Sequence, residues 1–571
     1  MRNLLFILFT GFLLLSTQNE LKAQSADINA WINMYNEDQG ALSRKYTLRT
    51  SDQYFDRFDS FYSGWLDHLE QVSFDQLERP SQVDFLLLKN DIERSLYFLR
   101  TDRAKVKSIT GYLPERDSIM NFINGRRNGQ SVEGKEVASW FDQWAEQTEA
   151  LHAKLKDSQP LTMKQAATLS QSINDIKNGI EEAYEFYFGY DPDLTWWAEK
   201  PFDRLMNVME DYRGVAADYI DPEELSDDGS GIDGDPIGRE EITRRLGFEM
   251  ISYTPQELID IANKQYEWSY TKMLKASNEM GYGDDWKAAL EQVKTTYVPA
   301  GEQPALAKKL ADEAVIFLEE RDLLTIPDLA KESWRMVMLS PEYQKIAPFF
   351  LGGEVLRIAY PTNTMSHEEK MMSMRGNNPH FSKAVVHHEL IPGHHLQQFM
   401  NRRYATHRSS FRTPFWTEGW ALYWEMVLWN NDFPESPEDK IGMLYWRMHR
   451  SARIVFSLNY HLGNWSPQEC IDYLVEKVGH EYANAEAEVR RSFEGNYGPL
   501  YQIAYMTGAM QFYALRLELV ESGLMDEKEF HDTILQNGAI PVAMVKALLT
   551  DEKLNKDFRS EWKFGDYIME R

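Results

Sequence analysis

Four histidines fall within nine residues, His387-His388-Glu389-Leu390-Ile391-Pro392-Gly393-His394-His395, in a chain that holds only 13. Neutral imidazoles bind a borderline-soft dication, and a carboxylate beside them can take a proton from water activated by that ion. The common helical arrangement, His-Glu-x-x-His, places two ligands one turn apart on one face. This chain departs from it, because Pro392 stands four residues after His388 and the next histidine is His394. In an unbroken helix six residues would leave the two side chains about 120° apart. Pro and Gly break or widen a helical turn, so a kink or bulge at Pro392-Gly393 is expected to return His394 to the face of His388.

Glu418 supplies a third candidate ligand. It opens the run Glu418-Gly419-Trp420-Ala421-Leu422-Tyr423-Trp424-Glu425, which reads as a buried helix, 24 residues after His394. That is enough chain for one helix to end and the next to return beside it. Two His and one Glu with an open fourth position form a catalytic rather than a structural zinc set. A carboxylate among Trp416, Trp420 and Leu422 needs a partner, and a buried salt bridge is the alternative to a metal. Glu389 is the candidate general base, since it adjoins a ligand without being one. His387 and His395 read as supporting or packing residues, with His395 able to replace His394 if the Pro-Gly turn winds differently. Glu425, on the face of Glu418, reads as a supporting group.

These motifs, together with Arg453 and His461, Tyr505-x-x-Gly508 and Arg516, resemble the bacterial domain-of-unknown-function 885 family. The resemblance runs through most of the chain and is strongest from about Gly238. It implies a zincin-like metallopeptidase, related in outline to the glutamate-liganded zincins, with the family's His-Glu-x-x-Pro-Gly-His on His388 to His394 and its Glu-Gly-Trp-Ala on Glu418 to Ala421. It also implies a late tyrosine, Tyr505, as the donor to a tetrahedral intermediate. Tyr497 and Tyr501 compete for that role. Arg453 and Arg516 are either carboxylate binders or structural ion pairs. The chain departs from the pattern at Ser457, where the family has Asp.

The elements that must position these groups are mainly helical. Thr254-Pro255-Gln256-Glu257, Ser466-Pro467-Gln468-Glu469 and Thr162-Met163-Lys164-Gln165 are capping boxes, and Ser436-Pro437-Glu438-Asp439 is a related start. Apolar residues recur at helical spacing over 161–187, 256–280, 303–323, 444–460 and 500–520. One strand is expected at Glu354–Tyr360, ended by Pro361. It either pairs with extended substrate, as an edge strand does, or belongs to a small sheet beside the active-site helix with no ligand role. The acidic, Gly-rich run at 226–236 reads as a loop or linker, without the full calcium-loop spacing. It separates an N-terminal helical region, 24–225, from a catalytic region, 237–571.

Residues 1–23 have the form of a signal peptide, with Arg2, an apolar stretch from Leu4 to Leu15, and Ala23 for cleavage. No Cys stands near that point, and no later stretch is long and apolar enough to span a bilayer. The mature protein is therefore expected in the periplasm or secreted. With Cys470 as the single cysteine, an intrachain disulfide is excluded, and no Gly-x-Ser-x-Gly elbow supports a serine nucleophile. The formal charge of −28 argues against nucleic acid and anionic membranes as partners. About 550 mature residues suffice for one large or two to three ordinary domains. The reading is an exported, mainly α, single-zinc (one Zn²⁺ per chain) hydrolase of small or extended peptides. Its rivals are a non-peptide amide hydrolase and a helical glycan- or peptide-binding protein with an inactive metal site.

Overall fold

The computed structural model describes residues 28–221, 228–344, 349–495 and 497–565. The signal-peptide expectation lies outside them. The protein is mainly helical, and the expected capping boxes at Thr162, Thr254 and Ser466 are formed, with side-chain and backbone bonds made in both directions. A fourth, Ser366 with Glu369, starts the helix His367–Gly376. The chain divides into two compact units. The first holds the residues up to Ser73 and Leu88–Ser226; the second holds Phe74–Leu87 and Asp227–Arg571.

In the first unit α1 (Gly134–Lys156), α2 (Met163–Tyr187) and α3 (Pro192–Val215) enclose a core of Phe122, Phe141, Trp144, Ile173, Ile180 and Leu205. Each of the three presents an apolar stripe to that core and a charged face to solvent, the pattern expected of surface helices. Asp191 caps α3 by accepting from the Asp193 and Leu194 N–H groups, with Pro192 at its first position.

The second unit carries every candidate site residue. Its helices include α4 (Pro379–Glu389), α5 (His394–Asn401), α6 (Pro414–Asn430), α7 (Pro437–His461), α8 (Tyr482–Phe493) and α9 (Tyr501–Leu519). Helix α6 is buried all round, with Trp416, Trp420 and Trp424 each inaccessible. A helix apolar on every face belongs inside a large core. Glycines set its approach to α9. A Cβ on Gly419 would lie 2.6 Å from Gly508 Cα, and one on Gly508 would lie 1.8 Å from the Phe415 carbonyl oxygen. The two helices nearly touch there, which brings Glu418 against the first turns of α9. Gly442 does the same between α7 and the start of α4, where its Cβ would lie 2.2 Å from His380 O.

The described residues hold one sheet, of two parallel strands. β1 (Arg335–Met338) pairs with β2 (Val355–Ile358) in the register Arg335↔Val355 to Met338↔Ile358. On β2's other side Arg357 exchanges backbone bonds with Leu351, at 2.7 and 3.1 Å. No described helix is long and apolar enough to cross a membrane.

Candidate metal centre

The His-rich segment is two helices, which corrects the expectation of one kinked helix. α4 ends at Glu389 and α5 begins at His394, with Leu390 to Gly393 as the connection. The Gly393 N–H donates to His387 O, six residues back, at 3.1 Å, and the His395 N–H donates to Leu390 O at 3.0 Å. The indole N–H of Trp420 donates to Pro392 O at 2.9 Å and ties the connection to α6. Gly393 has a negative φ, so left-handed backbone is not what requires it. Close approach is, because a Cβ there would lie 1.8 Å from His388 O. The outcome is that the His388 and His394 rings stand 4.9 Å apart and perpendicular.

His388, His394 and Glu418 offer ligand atoms that all lie within 4.8 Å of one another. Glu418 Oε2 is 3.3 Å from His394 Nε2 and 3.6 Å from His388 Nε2. Donors about 2.1 Å from one tetrahedral ion stand about 3.4 Å apart, so these separations suit zinc. The other atoms of each group are held elsewhere. His388 Nδ1 is 2.7 Å from Glu425 Oε1, His394 Nδ1 is 2.9 Å from Gln397 Nε2, and the Tyr501 hydroxyl donates to Glu418 Oε1 at 2.5 Å. Glu418 Oε2 itself is buried with no hydrogen-bond partner, a costly state unless a cation completes it. Burial opposes charge on Glu418, but His394 and His388 outweigh it and hold the carboxyl well below the usual range. At His388 burial acts to lower the pKa, and Glu418 and Glu425 outweigh it, raising the imidazole to about 9. These residues therefore fit a dication.

The three donors open into a cavity of about 220 Å³ that Glu389, Tyr497, Tyr501 and Tyr505 also line. Glu389 is positioned by backbone. The Gly353 N–H donates to Glu389 O at 3.0 Å, and a Cβ on Gly352 would lie 2.5 Å from Glu389 Oε2. Tyr505 stacks near His388 at 6.2 Å between ring centroids. Burial and Glu418 raise its phenol to about 12, so it keeps its proton at neutral pH and can donate. Arg450 and Arg453 place their guanidiniums 4.6 and 4.5 Å from the centre of the same ring. His449 and His480 also line the cavity, 2.9 Å apart. Burial, aided by nearby cations, holds both well below the usual histidine range, so they are neutral.

The family model for bacterial proteins of unknown function designated DUF885 matches residues 37–549. The chain belongs to the DUF885 family. Two solved structures share the fold. One, designated a lipoprotein of unknown function, from Shewanella oneidensis, is 16% identical with a TM-score of 0.68, covering 92% of this chain and 100% of its own. The other, designated a lipoprotein, from Colwellia psychrerythraea, is 17% identical with a TM-score of 0.56, covering 92% and 98%. No curated protein matches the chain.

Other sequence readings resolve differently in this DUF885 member. His395 bonds to the Ala330 carbonyl at 2.7 Å, away from the donors, so the His394 alternative is the one brought together. Arg516 pairs with Glu527 and Glu521 and does not line the cavity. Arg453 does line it while also pairing with Glu488 at 2.7 Å. Neither β2 nor β1 lines the cavity. The neighbouring segment Phe349–Gly352 does, and with both sides of β2 bonded the small-sheet option is favoured for the strand expected at Glu354–Tyr360. The described part of the acidic run, read as a loop or linker, is bonded to helices of the second unit. Asp228 accepts from the Gln468 N–H at 2.6 Å, and Arg490 donates to Gly231 O at 2.8 Å. Cys470 is buried, which pushes its thiol pKa up and leaves it unreactive. Sequence reasoning missed Tyr501's bond to Glu418, and it missed Arg450. The spacing Arg447, Arg450, Arg453 marked one helix face and was the available signal.

Proposed function

We propose that this protein is an exported zinc-dependent metallohydrolase that cleaves peptide bonds, with a zincin-like, glutamate-liganded centre. The observation that carries the reading is the convergence of His388 Nε2, His394 Nε2 and Glu418 Oε2, which accepts no hydrogen bond, in a cavity shared with Glu389. His388, His394 and Glu418 would hold one zinc ion, which when bound polarises a carbonyl and lowers the pKa of water to about 7. Glu425 fixes the His388 ring through Nδ1, as a carboxylate behind a ligating histidine does, and Gln397 contacts His394 at the corresponding atom. Glu389 accepts the proton of the attacking water and delivers it to the leaving nitrogen. Tyr505 keeps its proton and donates a hydrogen bond to the developing oxyanion, while Tyr501 is occupied in orienting Glu418.

Two features support the zincin-like comparison: the base follows the first histidine directly, and the glutamate ligand comes from the next long helix. Export is supported by the signal-like N-terminus and by the lipoprotein designation of the two structural neighbours. The test is metal analysis of purified protein together with mass-spectrometric profiling on a mixed peptide library. Zinc near one per chain with peptide hydrolysis is expected. Metal-free protein that leaves every peptide intact refutes the reading.

A further inference from the structure

Arg450 and Arg453 stand one turn apart on α7, only 7% and 3% exposed, and both line the cavity of the metal centre. Arg453 is satisfied on one side, where its Nε donates to Glu488 Oε1, while its Nη1 has no partner. Arg450 is different. Its guanidinium makes no hydrogen bond among the described residues, and its Nε is buried without a partner. The nearest carboxylate oxygen, Glu425 Oε1, is 3.9 Å away and already bound to His388. What holds Arg450 is aromatic, with its Cζ 4.6 Å from the Tyr505 ring centre and 5.3 Å from that of Trp446. A buried guanidinium without a hydrogen-bond partner is costly unless a ligand completes it. Its planar fork of donors matches a carboxylate in bidentate fashion. The ring it rests on is the one that stacks near His388.

Room on this side of the centre is limited. A cavity of about 220 Å³ is below the roughly 300 Å³ at which ordinary ligand pockets begin. Phe349 and Asn484 also line adjoining cavities of about 500 and 280 Å³, so a longer ligand has space in that direction. The small cavity with its cationic wall suits the end of a chain.

We propose that Arg450, with Arg453, forms an anion subsite that takes a substrate carboxylate, that of the peptide's C-terminus. On the metallohydrolase reading, on which the reaction rests, the enzyme then works on small peptides or on C-terminal ends. Arg450 orients the substrate through its carboxylate and touches no reacting atom.

The test is a binding measurement that needs no turnover. Glu389→Gln protein, as purified, is equilibrated with pools of N-acetyl-Ala-Xaa dipeptides covering all twenty residues, as free acids and as C-terminal amides. Retained peptides are counted by ultrafiltration and mass spectrometry, and metal is measured on the same sample. The acids should be retained about tenfold or more above the amides. Arg450→Gln in the same background should abolish that preference, and Arg450→Lys, which keeps the charge without the fork, should weaken it. If Arg450→Gln does not fold, the Arg450→Lys result decides. Equal retention, retention of neither pool, or a preference untouched by the arginine variants overturns the proposal. Retention confined to Asp and Glu in the amide pool overturns the C-terminal assignment. A preference for acids in metal-free protein leaves the anion subsite standing and fails the zinc reading instead.

Discussion

Replacing Gly393 with alanine should disconnect the two histidines from one another. A Cβ at this position lies 1.8 Å from His388 O, 2.5 Å from His388 C and 2.7 Å from His387 O. All three are main-chain atoms, so no side chain can swing away. Real Cβ contacts essentially never fall under 3.0 Å, so the His388 carbonyl and Gly393 must separate by more than 1 Å. The connection has little freedom to absorb this, held by the Gly393 N–H on His387 O and by Trp420 on Pro392 O. Metal–ligand distances are expected within about 0.2 Å of their standard values. The required shift exceeds that several-fold, at the residue that carries the first ligand. Zinc affinity should fall by about 100-fold or more, which is about 2.7 kcal/mol or more, with an overpacking cost to stability of about 1–3 kcal/mol. Competition with a calibrated chelator reads the affinity, and thermal unfolding of the chelator-treated protein reads the fold separately. Gly64→Ala is the control. It lies in the helix Asp52–Glu70 with nothing within 4 Å of the added carbon, and should leave zinc unchanged while stabilising by about 0.5–1 kcal/mol. A folded Gly393→Ala protein with wild-type zinc affinity would refute the account of the broken helix.

Glu418→Gln should lose zinc, because a neutral amide is a poorer ligand for a dication; unchanged affinity would remove Glu418 from the ligand set. Glu425→Gln should lower zinc affinity by about 10- to 100-fold by replacing the charged partner of His388 Nδ1, and an unchanged chelator titration would contradict that. Glu488 lies outside the proposed ligand set. Burial opposes its charge, but Arg453 and Arg491 outweigh it and hold its carboxyl at about 2. That folded value lies below the unfolded one near about 4.3, so its stabilisation is complete above the unfolded value and is lost as pH falls toward 2. Glu488→Gln should remove this limb of the thermal-stability curve and destabilise by about 3–5 kcal/mol at neutral pH; parallel acid limbs in the two proteins would show the pair contributes nothing.

The helices of this protein were legible because their starts are written in local chemistry. The capping boxes at Thr162, Thr254 and Ser466 each formed where the residues specify. The candidate ligands were legible through spacing, and the structure brings His388, His394 and Glu418 together. The manner of meeting was not legible. The connection at Pro392-Gly393, which divides two helices, is bonded by the Trp420 indole, a contact 28 residues away in sequence that local spacing does not encode. The tyrosine beside Glu418 was ambiguous for a related reason. Tyr501 and Tyr505 share a helix face, and which hydroxyl reaches the carboxylate is set by how this helix packs on that of Glu418, where Gly419 and Gly508 nearly touch. The strand at Val355–Ile358 was found, but its neighbours were not. Leu351 occupies its second edge through a bridge that no periodicity encodes. Arg450 was not legible, because nothing in the sequence shows that its guanidinium is left without a hydrogen bond, with Glu425 no nearer than 3.9 Å; that is a tertiary fact.

On the proposed reading, Glu389 moves protons beside a zinc ion that it does not bind. Glu389→Gln tests it most directly, with zinc content and peptide hydrolysis measured on the same sample against wild type. Gln is nearly isosteric, so the packing on Gly352 and the Gly353 bond to the Glu389 carbonyl should survive. Zinc should be retained near one per chain, with hydrolysis reduced by about 10² to 10⁴. Wild-type turnover in the variant would contradict the mechanism, and loss of zinc would make Glu389 a ligand and contradict the assignment of the site.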